Sequence, residues 1–240
     1  MTDTLIVDQE GDSVTLTLNR PDKLNALCPE LVEALIETIQ LAHANEHVRL
    51  IAFRGMGRNF CAGFDLGNLN QETDASLLLR LVRIETMLQL IAYSRCMTVA
   101  YAHGKNFGAG VDLFAACKRR YATSEAKFRM PGLLFDLVLG TRRFSALVGS
   151  ERAREILQTV REIPADEASQ IGLVSRITEQ DDWTVMFARD MKEVGMLSSR
   201  AQQCLYAAVH QSTADVDMAA LVRSAAEPGL RHRIEQYLGR

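Results

Sequence analysis

Two glycine-rich turns contain the residues of this chain that are best suited to chemistry. The first spans residues 55–66, GMGRNFCAGFDL, and the second spans residues 99–113, VAYAHGKNFGAGVDL. Glycine has no Cβ, so the backbone of such a turn can approach another group closely. N–H groups exposed where a strand turns into a helix donate well to an anion. Two such turns can direct two N–H groups at one point and form an oxyanion hole.

Each turn follows a predicted strand. The apolar run of residues 50–53, LIAF, predicts a buried strand before the first turn, and the second turn begins in a strand and leads into a helix. Earlier in the chain, residues 5–7 and 14–18 predict two strands, and a helix is predicted from Pro29. This alternation predicts an α/β fold.

The remaining predicted elements are helices. Residues 75–95 place Leu77, Leu81, Ile84, Leu88 and Ile91 on one apolar stripe, with Arg80, Arg83 and Glu85 on the other side. After residue 177 strand signals are weak, and four helices are predicted, at residues 183–194, 199–211, 215–224 and 229–238.

The composition is that of an ordinary globular protein. Of the 240 residues, 48% are apolar and 24% are charged, and the net charge of −3 gives no reason to expect a nucleic-acid partner. The five cysteines have no metal-ligand spacing, so we expect free thiols and no metal site. Without a membrane-spanning run or a secretory signal, the sequence predicts a cytoplasmic protein with no membrane partner.

Four segments resemble motifs of one enzyme superfamily. They are residues 60–66 (FCAGFDL), 108–113 (GAGVDL), 19–27 (NRPDKLNAL) and 165–174 (ADEASQIGLV). In this order they resemble the crotonase superfamily of enoyl-CoA hydratases and isomerases, over about residues 3–180. The resemblance implies a spiral of ββα units in residues 1–180. It also implies a C-terminal helical region, residues 181–240, that assembles the chain into homotrimers or dimers of trimers.

The resemblance also implies a substrate and an oxyanion hole. The substrate is an acyl-CoA thioester, with coenzyme A as part of the substrate and no separate cofactor. The backbone N–H groups of Phe64 and Ala109 match the two donors. Ala109 replaces the usual glycine, and an alanine at positive φ would be strained by about 1 kcal/mol or more. The alternative is that the loop has relaxed and the hole is lost.

The two catalytic glutamates of crotonase hydratases are replaced in this chain. Asp112 matches the first, and is either a general base with a shorter stem or a residue that binds backbone near its own helix start. The family pattern Phe-x-x-Pro-Glu matches FRMPG, so the second position is Gly132. This chain therefore lacks the groups for the two-glutamate hydration mechanism.

Asp136 is the other candidate catalytic carboxylate. It lies in an apolar run downstream of Gly132, a region in which chlorobenzoyl-CoA dehalogenases and naphthoyl-CoA synthases place an aspartate. The alternative is a structural role as a helix cap or as an ion-pair partner of Arg142 or Arg143. His103 is a weaker candidate base, since a histidine at this place more often bonds to backbone.

Further residues are expected near the substrate by resemblance. The predicted substrate-binding residues are Lys23, Ala62, Asp65, Gly108 and Gly132, with Lys23 near the CoA phosphates and Asp65 bracing its loop. Asn106 and Arg129 stand where small residues are usual, and would make the pocket more polar than one for a fatty acyl group.

These observations leave two classes of function. The first is an enzyme that stabilises a thioester enolate with one carboxylate, of isomerase or decarboxylase type more than hydratase type. A C–C hydrolase of the same superfamily that does not use CoA belongs to this class. The second is a non-catalytic member that binds acyl-CoA or assembles with partners.

Overall fold

The computed structural model describes residues 4–209 and 212–239. The strands of this part of the chain are β1 Leu5–Glu10, β2 Ser13–Leu18, β3 Leu50–Gly55, β4 Met97–Ala102, β5 Lys105–Phe107, β6 Arg119–Ala122, β7 Lys127–Arg129, β8 Ile163–Pro164 and β9 Arg176–Ile177. The α-helices are α1 Pro29–Ala44, α2 Asp74–Ala92, α3 Ala109–Ala116, α4 Thr141–Val148, α5 Ser150–Thr159, α6 Ala165–Gln170, α7 Trp183–Gly195, α8 Ser199–Val209, α9 Ala214–Ala225 and α10 Leu230–Leu238.

The strands form two sheets. Six of them pair in the order β1-β2-β3-β4-β6-β9, in parallel except for the antiparallel β1–β2 hairpin. The order of the second sheet is β5-β7-β8. From β4 to β7, successive strands enter the two sheets in turn with helices between the units, so the chain winds as a spiral. The predicted α/β class is confirmed.

The helices form where apolar spacing and end signals agree. Helix α1 has Pro29 in its first turn, where the missing N–H costs nothing. A capping box of Thr73 and Ser76 begins helix α2. The predicted apolar stripe of α2 is buried, but Glu85, expected on the solvent side, is buried as well. Its ion pair, described below, explains this burial.

The C-terminal helices pack on the core of their own chain. Trp183 and Val194 of α7 cover a sheet face that includes Val99 and Tyr101. Helices α9 and α10 bury an apolar cluster with α2, and this cluster contains Leu77, Leu81, Leu137, Leu221, Leu230 and Ile234. The predicted end of α8 at residue 211 lies outside the described residues. In the described part of the chain, no helix combines the length and hydropathy needed to cross a membrane.

Candidate active site

The two glycine-rich turns are in direct contact. Phe107 N–H donates to the Cys61 carbonyl at 3.1 Å, and Cys61 pairs with Asn106 in a short parallel bridge. Gly63 has φ +88°, and a Cβ at this position would overlap the Phe107 carbonyl and lie 3.0 Å from the Ala109 nitrogen. The close approach of the turns therefore requires glycine at position 63.

The N–H groups of Phe64 and Ala109 are available to a ligand. Within residues 4–209 and 212–239, neither group donates to a protein acceptor. Both residues line one pocket. The neighbours of Phe64 are held in place, because Leu27 N–H donates to Gly63 and Asp65 N–H donates to Leu27. Two unpaired backbone donors in one pocket are a precondition for an oxyanion hole.

Alanine at position 109 fits the local backbone without strain. Ala109 is the first residue of helix α3 and is not among the residues with positive φ. The positive φ, +49°, belongs to Gly108, one residue earlier. Alanine at position 109 therefore costs no backbone strain, and the argument for a relaxed loop does not hold.

The pocket is mostly apolar and has a volume of about 160 Å³. Its walls come from both turns, from helix α2, from the segment after Pro131 and from helix α10. Representative residues of these walls are Phe64, Leu81, Phe107, Leu133, Ile234 and Tyr237. An apolar pocket that contains a few polar groups is typical of a small-molecule site.

Asp112 lines this pocket on helix α3 and is 3% exposed. Its carboxylate packs against Gly140, where a Cβ would overlap it. Among the described residues, no group donates a hydrogen bond to the carboxylate, and Oδ1 is buried. Burial raises the pKa of Asp112 well above its ordinary value, the Glu85 charge raises it further, and Arg143 opposes both. The alternative that Asp112 binds backbone at its helix start is therefore not seen.

A buried ion pair lies behind Asp112. Arg143 donates to both carboxylate oxygens of Glu85, at 2.9 and 2.5 Å, and the two side chains are only 5% and 1% exposed. Asp217 of helix α9 lies 3.4 Å from the same guanidinium. The sequence analysis missed this network, because Glu85 and Arg143 are brought together only by the packing of distant helices.

Among the described residues, Asp112 is the only carboxylate that lines this pocket. Gly132 lines the pocket without a side chain, and a Cβ there would lie 3.2 Å from the Leu137 carbonyl. The pocket therefore offers one acid or base, and not the pair that the two-glutamate hydration mechanism uses.

Asp136 lies at the surface and is not a lining residue. Its side chain is 78% exposed, its φ is +60°, and its closest cation is Arg233 at 3.8 Å. The expected pairing with Arg142 or Arg143 is wrong, because these arginines pair with Asp217 and Glu85. The structure does not bring Asp136 and Asp112 together in one pocket.

Asp136→Asn is expected to have no effect on activity or stability. A surface substitution away from special features changes the free energy of unfolding by less than about 0.5 kcal/mol. We expect kcat/KM within about twofold of the unmodified protein. Steady-state kinetics and thermal denaturation measure both quantities, and a tenfold loss of kcat/KM would restore Asp136 as a catalytic candidate.

The other predicted substrate residues divide into two groups. Ala62 and Gly108 line the pocket. Lys23 and Asp65 do not, and Lys23 is exposed in a short 3₁₀ helix. Asp65 accepts from Gly67 N–H at 2.8 Å and pairs with a cation in the motif at residues 19–27, which fits the expected bracing role.

The remaining polar residues near the turns are mostly structural. Nε2 of the buried His103 lies 2.9 Å from the Gly57 carbonyl, and His103 does not line the pocket. Asn106 is buried and donates to two backbone carbonyls. The thiol of Cys61 is buried, which raises its pKa to about 12 and makes it unsuitable as a nucleophile. Arg129 differs from them, because it lines the pocket.

Comparisons with known proteins identify the family of this chain. The family model for enoyl-CoA hydratase/isomerase matches residues 9–227. The Bacillus subtilis protein YngF, provisionally named an enoyl-CoA hydratase/isomerase, is 31% identical over 187 residues, covering 76% of this chain and 72% of YngF. A peroxisomal Δ(3,5)-Δ(2,4)-dienoyl-CoA isomerase of Arabidopsis thaliana is 30% identical over 177 residues, covering 68% of this chain and 64% of the isomerase.

A solved structure shares the whole fold. This Bordetella parapertussis protein, provisionally named an enoyl-CoA hydratase/isomerase, superimposes with a TM-score of 0.98 at 47% identity, covering 100% of both chains. The residues matched by the family model, 9–227, include both glycine-rich turns, which contact each other in the structure. The chain therefore belongs to the enoyl-CoA hydratase/isomerase family of the crotonase superfamily.

Proposed function

We propose that this protein is an isomerase that moves the double bond of an enoyl-CoA thioester from C3 to C2. The observation that carries the proposal is the buried carboxylate of Asp112. Within residues 4–209 and 212–239, it is the only carboxylate that lines the pocket of the two unpaired N–H groups. Isomerisation needs one group that takes and returns a proton, and no added water. Hydration in this superfamily uses two carboxylates, and the second position is Gly132.

The reaction uses Asp112 twice. With the thioester oxygen between the N–H groups of Phe64 and Ala109, the Asp112 carboxylate removes a proton from C2. The electron pair moves onto the carbonyl oxygen, and the two N–H groups stabilise the resulting enolate. The protonated Asp112 then returns a proton to C4, so that the double bond ends between C2 and C3.

The environment of Asp112 suits this double role. A carboxyl group whose pKa is raised by burial is a stronger base when ionised, and is protonated for a larger part of the time near neutral pH. The similarity to a dienoyl-CoA isomerase gives the proposal modest additional support.

Mass spectrometry of acyl-CoA thioesters incubated with the protein in deuterated water tests the proposal. The thioesters are 3-hexenoyl-, crotonyl-, butyryl- and methylmalonyl-CoA. We expect conversion of the 3-enoyl thioester to the 2-enoyl thioester, which chromatography must separate because the two have the same mass, and no gain of water by crotonyl-CoA. Deuterium enters the product only to the extent that the protonated Asp112 exchanges with solvent before it returns the proton.

Other outcomes would contradict isomerisation and name the alternative. Gain of water would show a hydratase, and loss of CO₂ from methylmalonyl-CoA would show a decarboxylase. Binding of every thioester without conversion would show a non-catalytic member, and no binding would indicate a C–C hydrolase that does not use CoA.

Three broader proposals accompany this function. We propose that coenzyme A enters only as part of the substrate, with no separate cofactor. We propose a homotrimer or a dimer of trimers, as the resemblance to the superfamily implies. We also propose a cytoplasmic location, because the five cysteines are free thiols, as is usual in a reducing compartment.

A further inference from the structure

Among the described residues, Arg129 is the only cation that lines the pocket of Phe64, Ala109 and Asp112. The proposed isomerisation does not use it. It ends strand β7, where it pairs with Phe107 of strand β5. Its carbonyl accepts from Gly108 N–H at 2.8 Å. Arg129 is therefore bound through its backbone to the turn that carries Ala109, one of the two oxyanion-hole donors.

The guanidinium of Arg129 is only partly used within the protein. Its Nε donates to the Val160 carbonyl, just after helix α5, at 2.9 Å. Within the described chain, no carboxylate lies within ion-pair distance of Arg129, and no protein group accepts from its two Nη atoms. A guanidinium carries five N–H donors in a rigid fork that matches a carboxylate. The terminal donors are left for a ligand.

The charge of Arg129 is also not balanced within the pocket. Among the residues that the structure describes, Asp112 is the only carboxylate lining this pocket, and the charges that act on it are those of Arg143 and Glu85, not that of Arg129. A half-buried cation without a counter-ion carries a desolvation cost, which an incoming anion offsets.

We propose that Arg129 is a specificity-determining residue that binds a carboxylate at the far end of the acyl group. The substrate class would then be thioesters of dicarboxylic acids. This inference rests on the proposed function, because it places the thioester carbonyl at Phe64 and Ala109. The CoA phosphates are separated from the thioester by the pantetheine arm, so an anion that enters this pocket must belong to the acyl group.

Calorimetric binding of two saturated thioesters tests the inference without any turnover. Succinyl-CoA and butyryl-CoA have the same number of acyl carbons and differ in the terminal carboxylate. We expect the unmodified protein to bind succinyl-CoA at least about tenfold more tightly, as suits one charge-assisted pair. Arg129→Met should abolish this preference and leave butyryl-CoA binding within about twofold, and Arg129→Lys should keep part of the preference.

Lys127→Met is the matched control. Lys127 lies on the same strand, its side chain is 55% exposed, and it does not line the pocket. If its loss weakened succinyl-CoA binding as much as the loss of Arg129, general charge attraction would explain the preference, and the inference would be wrong.

Further outcomes separate this inference from the proposed function. Equal binding of both thioesters by the unmodified protein would overturn the inference alone. If Arg129→Met weakened the binding of succinyl-CoA and butyryl-CoA equally and lowered the melting temperature, the role of Arg129 would be to cap helix α5. This result would also overturn the inference. No binding of either thioester would overturn both proposals. If Arg129→Met does not fold, the unmodified protein and Arg129→Lys decide the question.

Discussion

Asp112→Asn is expected to abolish turnover and to raise the thermal stability of the protein. Asparagine keeps the size of the side chain but cannot accept a proton from C2. The loss of a general base lowers kcat by a factor of roughly 10² to 10⁴. Binding of a saturated thioester should be unchanged, because the N–H groups of Phe64 and Ala109 remain in place.

The gain in stability follows from the burial of Asp112. Its pKa in the folded protein is raised, so between about pH 4 and that raised pKa the folded protein binds more protons than the unfolded chain. Stability therefore falls as pH rises through this interval, and the ionised carboxylate destabilises the protein at neutral pH. Asparagine carries no charge that has to be desolvated, so Asp112→Asn should have the higher melting temperature at pH 7.

The pH dependence provides an internal check. Below about pH 4 the carboxyl is protonated in both states, so the two proteins should have equal stability there. The kcat/KM of the unmodified protein should rise with pH through the raised pKa of Asp112, because only the ionised form removes a proton. Thermal denaturation and steady-state kinetics across pH measure both effects.

Asp136→Asn is the matched control for this experiment. It makes the same chemical change at a side chain that is 78% exposed, so neither turnover nor stability should change. Normal turnover in Asp112→Asn would remove Asp112 from the mechanism. Lost turnover with lowered stability would instead give the carboxylate a structural role.

The parts of the site that sequence predicted are those that depend on local backbone. The glycine-rich turns themselves were recognised from composition, and the resemblance to the crotonase superfamily pointed to Phe64 and Ala109 within them; both residues line one pocket. The position of Asp112 follows from the second turn, because it lies on the first turn of helix α3.

The predictions that failed depend on packing or on the exact start of an element. The apolar neighbours of Asp136 suggested burial, but it follows a 3₁₀ helix, Gly132–Phe135, with a positive φ that places its side chain in solvent. Whether alanine at position 109 would be strained depended on where the helix starts, and it starts at Ala109, with the positive φ at Gly108. The burial of Glu85 requires Arg143, 58 residues further along the chain, and helical spacing does not reveal it.

Gly63→Ala is expected to reduce kcat by a factor of roughly 10² to 10³, because it disrupts the proposed oxyanion hole. A Cβ at position 63 would overlap the Phe107 carbonyl and lie 3.0 Å from the Ala109 nitrogen. The two turns must then separate, which moves the Phe64 and Ala109 N–H groups apart. Hydrogen bonds to a developing oxyanion depend on donors placed before the reaction, so a small separation has a large effect on rate.

Gly149→Ala separates this effect from backbone strain. Gly149 has φ +85°, close to the +88° of Gly63, but a Cβ there would meet nothing within 4 Å. Both variants have the cost of an alanine at positive φ, about 1 kcal/mol or more. Only Gly63→Ala forces the turns apart, so only Gly63→Ala should lose kcat, and it should have the lower melting temperature of the two. If both variants kept kcat and lost stability equally, the contact between the turns would not be what holds the two donors in place.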